Sequence, residues 1–251
     1  MNNTRPIIEK CAERAGSRYE LWIDFIRSAG LEHMAEVGVY RGNFASSILE
    51  NCSSLKKYYM IDPWRHLDDW NKPANEDDAL FESFFAETKA RTDFAGEKRV
   101  ILRGKTVEVI DDLPDEQLDF AYIDGDHTLK GIAIDLICIY PKVRPGGFIG
   151  GDDFSKTIWQ HHSKYEPTLV FPFAVYFAEA VGAPIYGLPY NQFLIEKTIA
   201  RSFEFVDLTG DYSNLSLRGQ LDANKALKLK MAEMLPRATK YARKMKKWFS
   251  K

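Results

Sequence analysis

The sequence contains no long apolar run. None of its stretches approaches the ~18 consecutive apolar residues a membrane-spanning helix needs. Cysteine is scarce: Cys11, Cys52 and Cys138 are the only three in 251 residues. Their spacing fits neither a metal site nor a redox motif, so unpaired thiols in a reducing compartment are expected. Met1 to Lys10 lacks the apolar core of a secretory signal. These absences predict a cytoplasmic location. There is no internal repeat and no low-complexity linker. The length fits one large α/β domain with decoration, or a domain plus a small appendage.

Net charge is also small, −2, but it is unevenly spread. From Asn224 to Lys251 ten Lys or Arg residues face a single acid, Glu233. That tail carries about +9 and leaves about −11 on the rest. An acidic body argues against a nucleic-acid partner. The tail interleaves Leu227, Met231, Leu235, Tyr241 and Trp248 with its cations, and Pro236 divides it. Such a segment can dock on the body or on a sister subunit of a homo-oligomer. It can also lie peripherally on an anionic inner membrane surface.

What is present is alternation. Residues 1–33 read as a helical extension. Apolar runs then recur at 34–39, 58–61, 99–102, 118–123, 147–150, 183–188 and 192–195. Segments of helical composition lie at 44–51, 77–91, 128–140 and 169–181. Strands alternating with helices predict βαβ units, a mostly parallel sheet and helices on both faces. Only Pro189-Tyr190-Asn191 separates the last two runs, too short for a parallel crossover. The prediction is a Rossmann-like mixed sheet of seven strands, six parallel and the last antiparallel. The central domain is expected over 34–200, with a C-terminal extension over 201–251.

The turn after the first strand reads Glu36-Val37-Gly38-Val39-Tyr40-Arg41-Gly42. Glycine serves where a backbone turns sharply or a ligand comes close, and open α/β sheets bind ligands beside this turn. Asp62 ends the second strand, where a carboxylate can accept both ribose hydroxyls of a nucleoside; it can equally cap the turn before Pro63. Trp64 can cover an adenine or pack in the core. Gly104-Lys105 follows the third strand and is the expected adenine contact, although Lys105 also suits a solvated loop.

The fourth run delivers Asp124, Asp126 and His127 at its carboxyl end, and the fifth delivers Asp152 and Asp153. Adjacent parallel strands would bring these carboxylates to one rim. Like charges raise each other's pKa, and a hard cation relieves that cost. Oxygen donors suit magnesium, calcium or manganese rather than zinc. Helix capping is the plainer use of any single one of these aspartates.

The segments Tyr122-Ile-Asp-Gly-Asp-His-Thr, Pro141-Lys-Val-Arg-Pro-Gly-Gly and Gly150-Gly-Asp-Asp-Phe resemble the macrocin and mycinamicin O-methyltransferase group of class I methyltransferases. They are more distantly similar to the metal-dependent catechol O-methyltransferases. The resemblance covers roughly Glu32 to Lys197. The turn at 36–42 resembles that family's E-x-G-x-G-x-G motif, with Tyr40 at the middle glycine. The closing antiparallel strand also suits these methyltransferases, whereas ordinary dinucleotide dehydrogenases lack it.

The resemblance implies S-adenosylmethionine (SAM) as methyl donor, bound by Glu36, Gly38, Tyr40, Gly42, Asp62, Trp64, Gly104, Lys105 and Asp124. It implies a divalent metal, magnesium first, on Asp124, Asp152 and Asp153. The catechol enzymes place a lysine base three residues after the first ligand, where this chain has His127. The sugar-modifying relatives use an acid or histidine beside the metal, so Asp126 and His127 compete as base.

The implied acceptor is a hydroxyl of a sugar, glycan or glycosylated small molecule. Loops holding Arg65 and Trp70, and Trp159, Gln160 and His161, are the expected acceptor contacts. Two other readings compete. One is a metal-independent methyltransferase for phenols or carboxylates, and the other is a SAM-binding protein without turnover.

Overall fold

The computed structural model describes residues 4–162, 164–212, 215, 216, 219 and 231. Most of the basic tail, with the docking and membrane readings attached to it, lies outside the described residues. Among those described, no helix is long and apolar enough to cross a membrane.

Two helices open the chain, α1 (Thr4–Arg14) and α2 (Arg18–Ala29). Then β1 (His33–Val37), α3 (Asn43–Asn51), β2 (Lys57–Asp62), α4 (Asp78–Arg91), β3 (Arg99–Arg103), the short α5 (Thr106–Val109) and β4 (Leu118–Ile123) follow. The second half holds α6 (Leu129–Ile139), β5 (Val143–Gly151), α7 (Val170–Val181), β6 (Ile185–Leu188), β7 (Gln192–Glu196) and β8 (Phe205–Asp207).

The sheet order is β3-β2-β1-β4-β5-β7-β6-β8. Pairings among β1 to β5 are parallel, and β7 runs antiparallel to both β5 and β6. The expected closing hairpin is present: Pro189–Asn191 turns the chain, with Tyr190 and Asn191 both at positive φ.

The strand count corrects the sequence expectation, because the described residues form eight strands, not seven. The eighth pairs parallel with β6 through Ile185, Tyr186 and Gly187. Three residues carry no periodicity of their own, so β8 exists only because the edge of β6 accepts it. Leu208 N donates to Gly187 O at 3.0 Å and Ile185 N to Glu204 O at 2.8 Å.

Side chains alternate across a strand, and this sorts the core into two layers. Met34, Tyr58, Met60, Phe120 and Tyr122 face one way, against Ile8, Trp22, Phe25, Ile48 and Phe84 of α1 to α4. Ala35, Val37, Ile61, Ala121 and Ile123 face the other, against Ile132, Leu136, Ala174 and Phe177 of α6 and α7. Burial on both faces explains why the central strands read as continuous apolar runs. The N-terminal helices are therefore part of the main core, and the sheet continues past residue 200.

Candidate active site

The parallel strands end on one rim. β1 connects outward to β2, while its other neighbour, β4, leads on to β5. A crevice opens where the order reverses, and such a switch point is where open α/β sheets bind ligands. A cavity of about 440 Å³ lies there. Its lining includes Glu36, Gly38, Tyr40, Asp62, Gly104, Lys105, Asp124, Asp126 and His127.

The β1 turn is closely constrained. Gly38 has φ +87°, and a Cβ there would lie 2.1 Å from the Asp124 carbonyl oxygen. The β1 and β4 ends could not approach so closely with any side chain at 38. Tyr40 keeps the left-handed backbone of the motif's middle glycine, with φ 55°. Its ring packs on Phe84 with centroids 4.6 Å apart. Its carbonyl accepts from Trp64 Nε1 at 2.7 Å and Thr88 Oγ1 at 3.1 Å.

Asp62 holds this turn. Its Oδ2 accepts from Val39 N at 2.9 Å and Tyr40 N at 2.8 Å, and its Oδ1 from Trp64 N at 2.8 Å. Burial raises its pKa to about 6 against those hydrogen bonds. Three backbone donors leave little acceptor capacity for a ribose. Glu36 is buried beside it and accepts from Tyr58 Oη at 2.6 Å. Burial, with the charges of Asp124 and Asp62, pushes its pKa up to about 8. Trp64 is fully buried against Phe85 and does not line the cavity.

The rim carboxylates are held by protein cations. Arg18, the first residue of α2, points Nη1 at Asp124 Oδ2, 3.3 Å away, and touches Asp152 Oδ2. His127 Nδ1 lies 2.5 Å from Asp153 Oδ2, and Nε2 faces Asp124 Oδ1 at 3.4 Å without hydrogen-bond alignment. Burial opposes the imidazolium, but the two carboxylates outweigh it and push its pKa up to about 10. Asp153 sits at φ 58°. Burial would raise its pKa, yet His127 holds it below the usual carboxylate range.

Asp126 Oδ1 accepts from Thr128 N at 2.9 Å. Gly131 makes room for this side chain, since a Cβ there would lie 2.1 Å from Asp126 Cγ. Among the described residues, no three acidic, His or Cys side chains are set to hold a metal ion. The donors themselves are hard oxygens, and the Arg18 guanidinium occupies the point where two of them converge.

Two loops roof the cavity. Lys72 Nζ, buried, donates to the carbonyls of Glu166 at 2.9 Å and Pro167 at 3.1 Å. Asn71 Nδ2 donates to Lys164 O at 2.9 Å. Asp69 pairs with Lys130 at 3.1 Å and Lys105 at 3.7 Å. Trp70 and His161 line the cavity, whereas Arg65, Trp159 and Gln160 do not. Arg65 pairs instead with Glu108 at 2.6 Å. Trp70 Nε1 and Gln160 Nε2 are buried without hydrogen-bond partners.

Sequence reasoning missed Arg18 and Gln192. Gln192 is fully buried; its Oε1 accepts from Trp22 Nε1 at 2.7 Å and Tyr122 Oη at 2.8 Å. Its Nε2 donates to Asp152 Oδ1 at 2.6 Å, which fixes that carboxylate. A polar residue at the head of an apolar strand was the available signal for Gln192. Arg18 had none, because it joins the rim only through tertiary packing.

Residues 35–154, just under half of the chain, match the family model described as a methyltransferase domain. No curated protein matches the sequence. Among solved structures, the fold is similar to a candidate caffeoyl-CoA O-methyltransferase of Staphylococcus aureus. Identity is 11%, coverage 79% of this chain and 93% of that one, and the TM-score 0.55. It is also similar to the SAH-bound Podospora anserina methyltransferase PaMTH1, with 15% identity, 80% and 89% coverage and a TM-score of 0.52. An O-methyltransferase from Bacillus cereus in complex with SAH gives 12% identity, 79% and 91% coverage and a TM-score of 0.51. The chain therefore has the Rossmann-like α/β fold of the methyltransferases, and its residues 35–154 are similar to their family model.

Proposed function

We propose that this protein is a SAM-dependent O-methyltransferase acting on a hydroxyl of a sugar, glycan or glycosylated small molecule. The observation that carries this reading is the rim itself. One cavity joins the glycine turn at 36–42, held by Asp62, to the acidic ends of β4 and β5. The family match over residues 35–154 supports the same reading.

SAM supplies an electrophilic methyl on its sulfonium, so the protein's main task is to place an acceptor oxygen in line behind it. Asp124 and Asp126 give the cavity an acidic lining suited to a cationic donor. Gly104 and Lys105 line the cavity and suit the nucleoside. Asp126 is the base this geometry favours. Both His127 nitrogens face carboxylates, Nδ1 at 2.5 Å from Asp153 and Nε2 at 3.4 Å from Asp124. Asp126 would take the hydroxyl proton as the methyl passes from sulfur to the acceptor oxygen, the sulfur–methyl bond breaking and its electron pair leaving the donor as the neutral thioether.

With Arg18 displaced, Asp124, Asp152 and Asp153 would supply hard oxygen ligands to a divalent metal, magnesium first; when bound it would lower the pKa of the acceptor hydroxyl. Trp70 and His161 line the cavity and suit acceptor contact. A cytoplasmic setting suits this chemistry.

Calorimetric titration with SAM and with SAH, followed by labelled-methyl transfer to panels of sugars, glycosides and phenols, tests the proposal. Saturable SAM binding with transfer to sugar hydroxyls is expected. No SAM binding at millimolar ligand would end the reading. Binding without transfer to any acceptor would leave a SAM-binding protein. Transfer confined to phenols and unaffected by EDTA would favour the metal-independent alternative.

A further inference from the structure

A single nitrogen of Arg18 meets two carboxylates at the ends of adjacent parallel strands. Nη1 lies 3.3 Å from Asp124 Oδ2 and in contact with Asp152 Oδ2. Both strand ends have fixings besides the arginine, at the carboxylate of Asp152 and at the backbone of Asp124. Asp152 Oδ1 is fixed by Gln192 Nε2 at 2.6 Å and by Asp153 N at 2.8 Å. Asp124 N is fixed by Val37 O at 2.7 Å. Two oxygens thus converge on one point, which suits a cation of either kind. Oxygen ligands approach magnesium or calcium to about 2.0–2.6 Å, so an ion bridging this pair and the guanidinium nitrogen cannot share the space. Arg18 also lies outside residues 35–154, the part similar to the methyltransferase model.

We propose that Arg18 is an internal cation that competes with a divalent metal ion for Asp124 and Asp152. Metal binding and the docked position of Arg18 are mutually exclusive. The ion gains its ligands only when the first turn of α2 releases them. That turn is held by the Ser17 cap, whose Oγ accepts from Glu20 N at 3.2 Å, so displacement is felt in the backbone from 15 to 20. The affinity for the metal is therefore set partly by the N-terminal helices. This inference rests on the proposed transfer site for its meaning. Its test uses neither SAM nor acceptor, so the two can fail separately.

The test is Mn²⁺ titration of the full chain by calorimetry and electron paramagnetic resonance. Arg18→Ala and Arg18→Gln are expected to bind Mn²⁺ about tenfold or more tightly than the unaltered protein. Arg18→Lys, which keeps the charge, should stay near the unaltered protein. Asp152→Asn added to Arg18→Gln should remove the gain while keeping the hydrogen bonds to Gln192 and Asp153. In the unaltered protein, saturating Mn²⁺ should speed amide exchange over 15–20. Equal or weaker binding by both neutral variants would overturn the proposal. So would a gain that survives Asp152→Asn. Circular dichroism establishes that each variant is folded, and the polar Gln variant carries the test if the Ala variant is not.

Discussion

Glu36 accepts a hydrogen bond from Tyr58 and is buried under the β1 turn. Its pKa is raised from 4.5 to about 8, chiefly by burial. A carboxyl whose folded pKa is raised stabilises the fold fully below its unfolded pKa and loses that contribution as pH rises through the folded value. Glu36→Gln keeps the shape and removes the titration. Its melting temperature should match the unaltered protein near about pH 4.5 and exceed it increasingly up to about pH 8, read by calorimetry across pH. A constant difference across that range would refute the assignment. Asp126 carries the proton-transfer prediction: Asp126→Asn should lower kcat by about 10²–10⁴-fold with SAM affinity kept, measured by turnover and calorimetry. Both residues were visible in the sequence as polar groups at strand ends. The protonation of Glu36 was not, because it depends on burial and on partners distant in the chain.

Among the elements, strands and long helices were legible where periodicity was strong. The runs at 58–61 and 118–123 became β2 and β4, since continuous apolar runs between helical segments suit strands covered on both faces. β8 was not legible, because a three-residue strand is defined by the edge it joins. The cavity roof was half legible. Its aromatic and polar content marked the two loops, but the fastening between them depends on Lys72, a residue unremarkable in sequence. Lys72→Met keeps the aliphatic stem and deletes the bonds to Glu166 and Pro167. It should cost about 1–3 kcal/mol in urea unfolding. Amide exchange should also rise in 63–77 and 155–169 together. A rise confined to one loop would show that the fastening does not couple them.

At the scale of the molecule, one core layer draws residues from before 34 and after 200. Ile8, Leu21, Trp22, Phe25 and Ile26 cover one face of the sheet, and Val206 joins the same layer. A fragment of residues 34–200 would expose that face. It is expected to bind hydrophobic dyes and to lose the cooperative thermal transition of the full chain. A fragment melting as sharply as the full chain would show that residues 34–200 fold without the flanking segments.

Local chemistry determined a good deal by itself. Apolar period, chain direction and the three-residue turn at 189–191 dictated an α/β sheet with one reversed strand, because these depend on neighbours a few residues away. The acidic strand ends at 124 and 152–153 followed from the same pattern. Only the tertiary structure decided what meets those acids. Arg18 is separated from Asp124 by more than a hundred residues, and it reaches the rim because α2 packs across the sheet. Charge pairing acts over a few ångströms in space, whereas sequence patterns report only short separations along the chain.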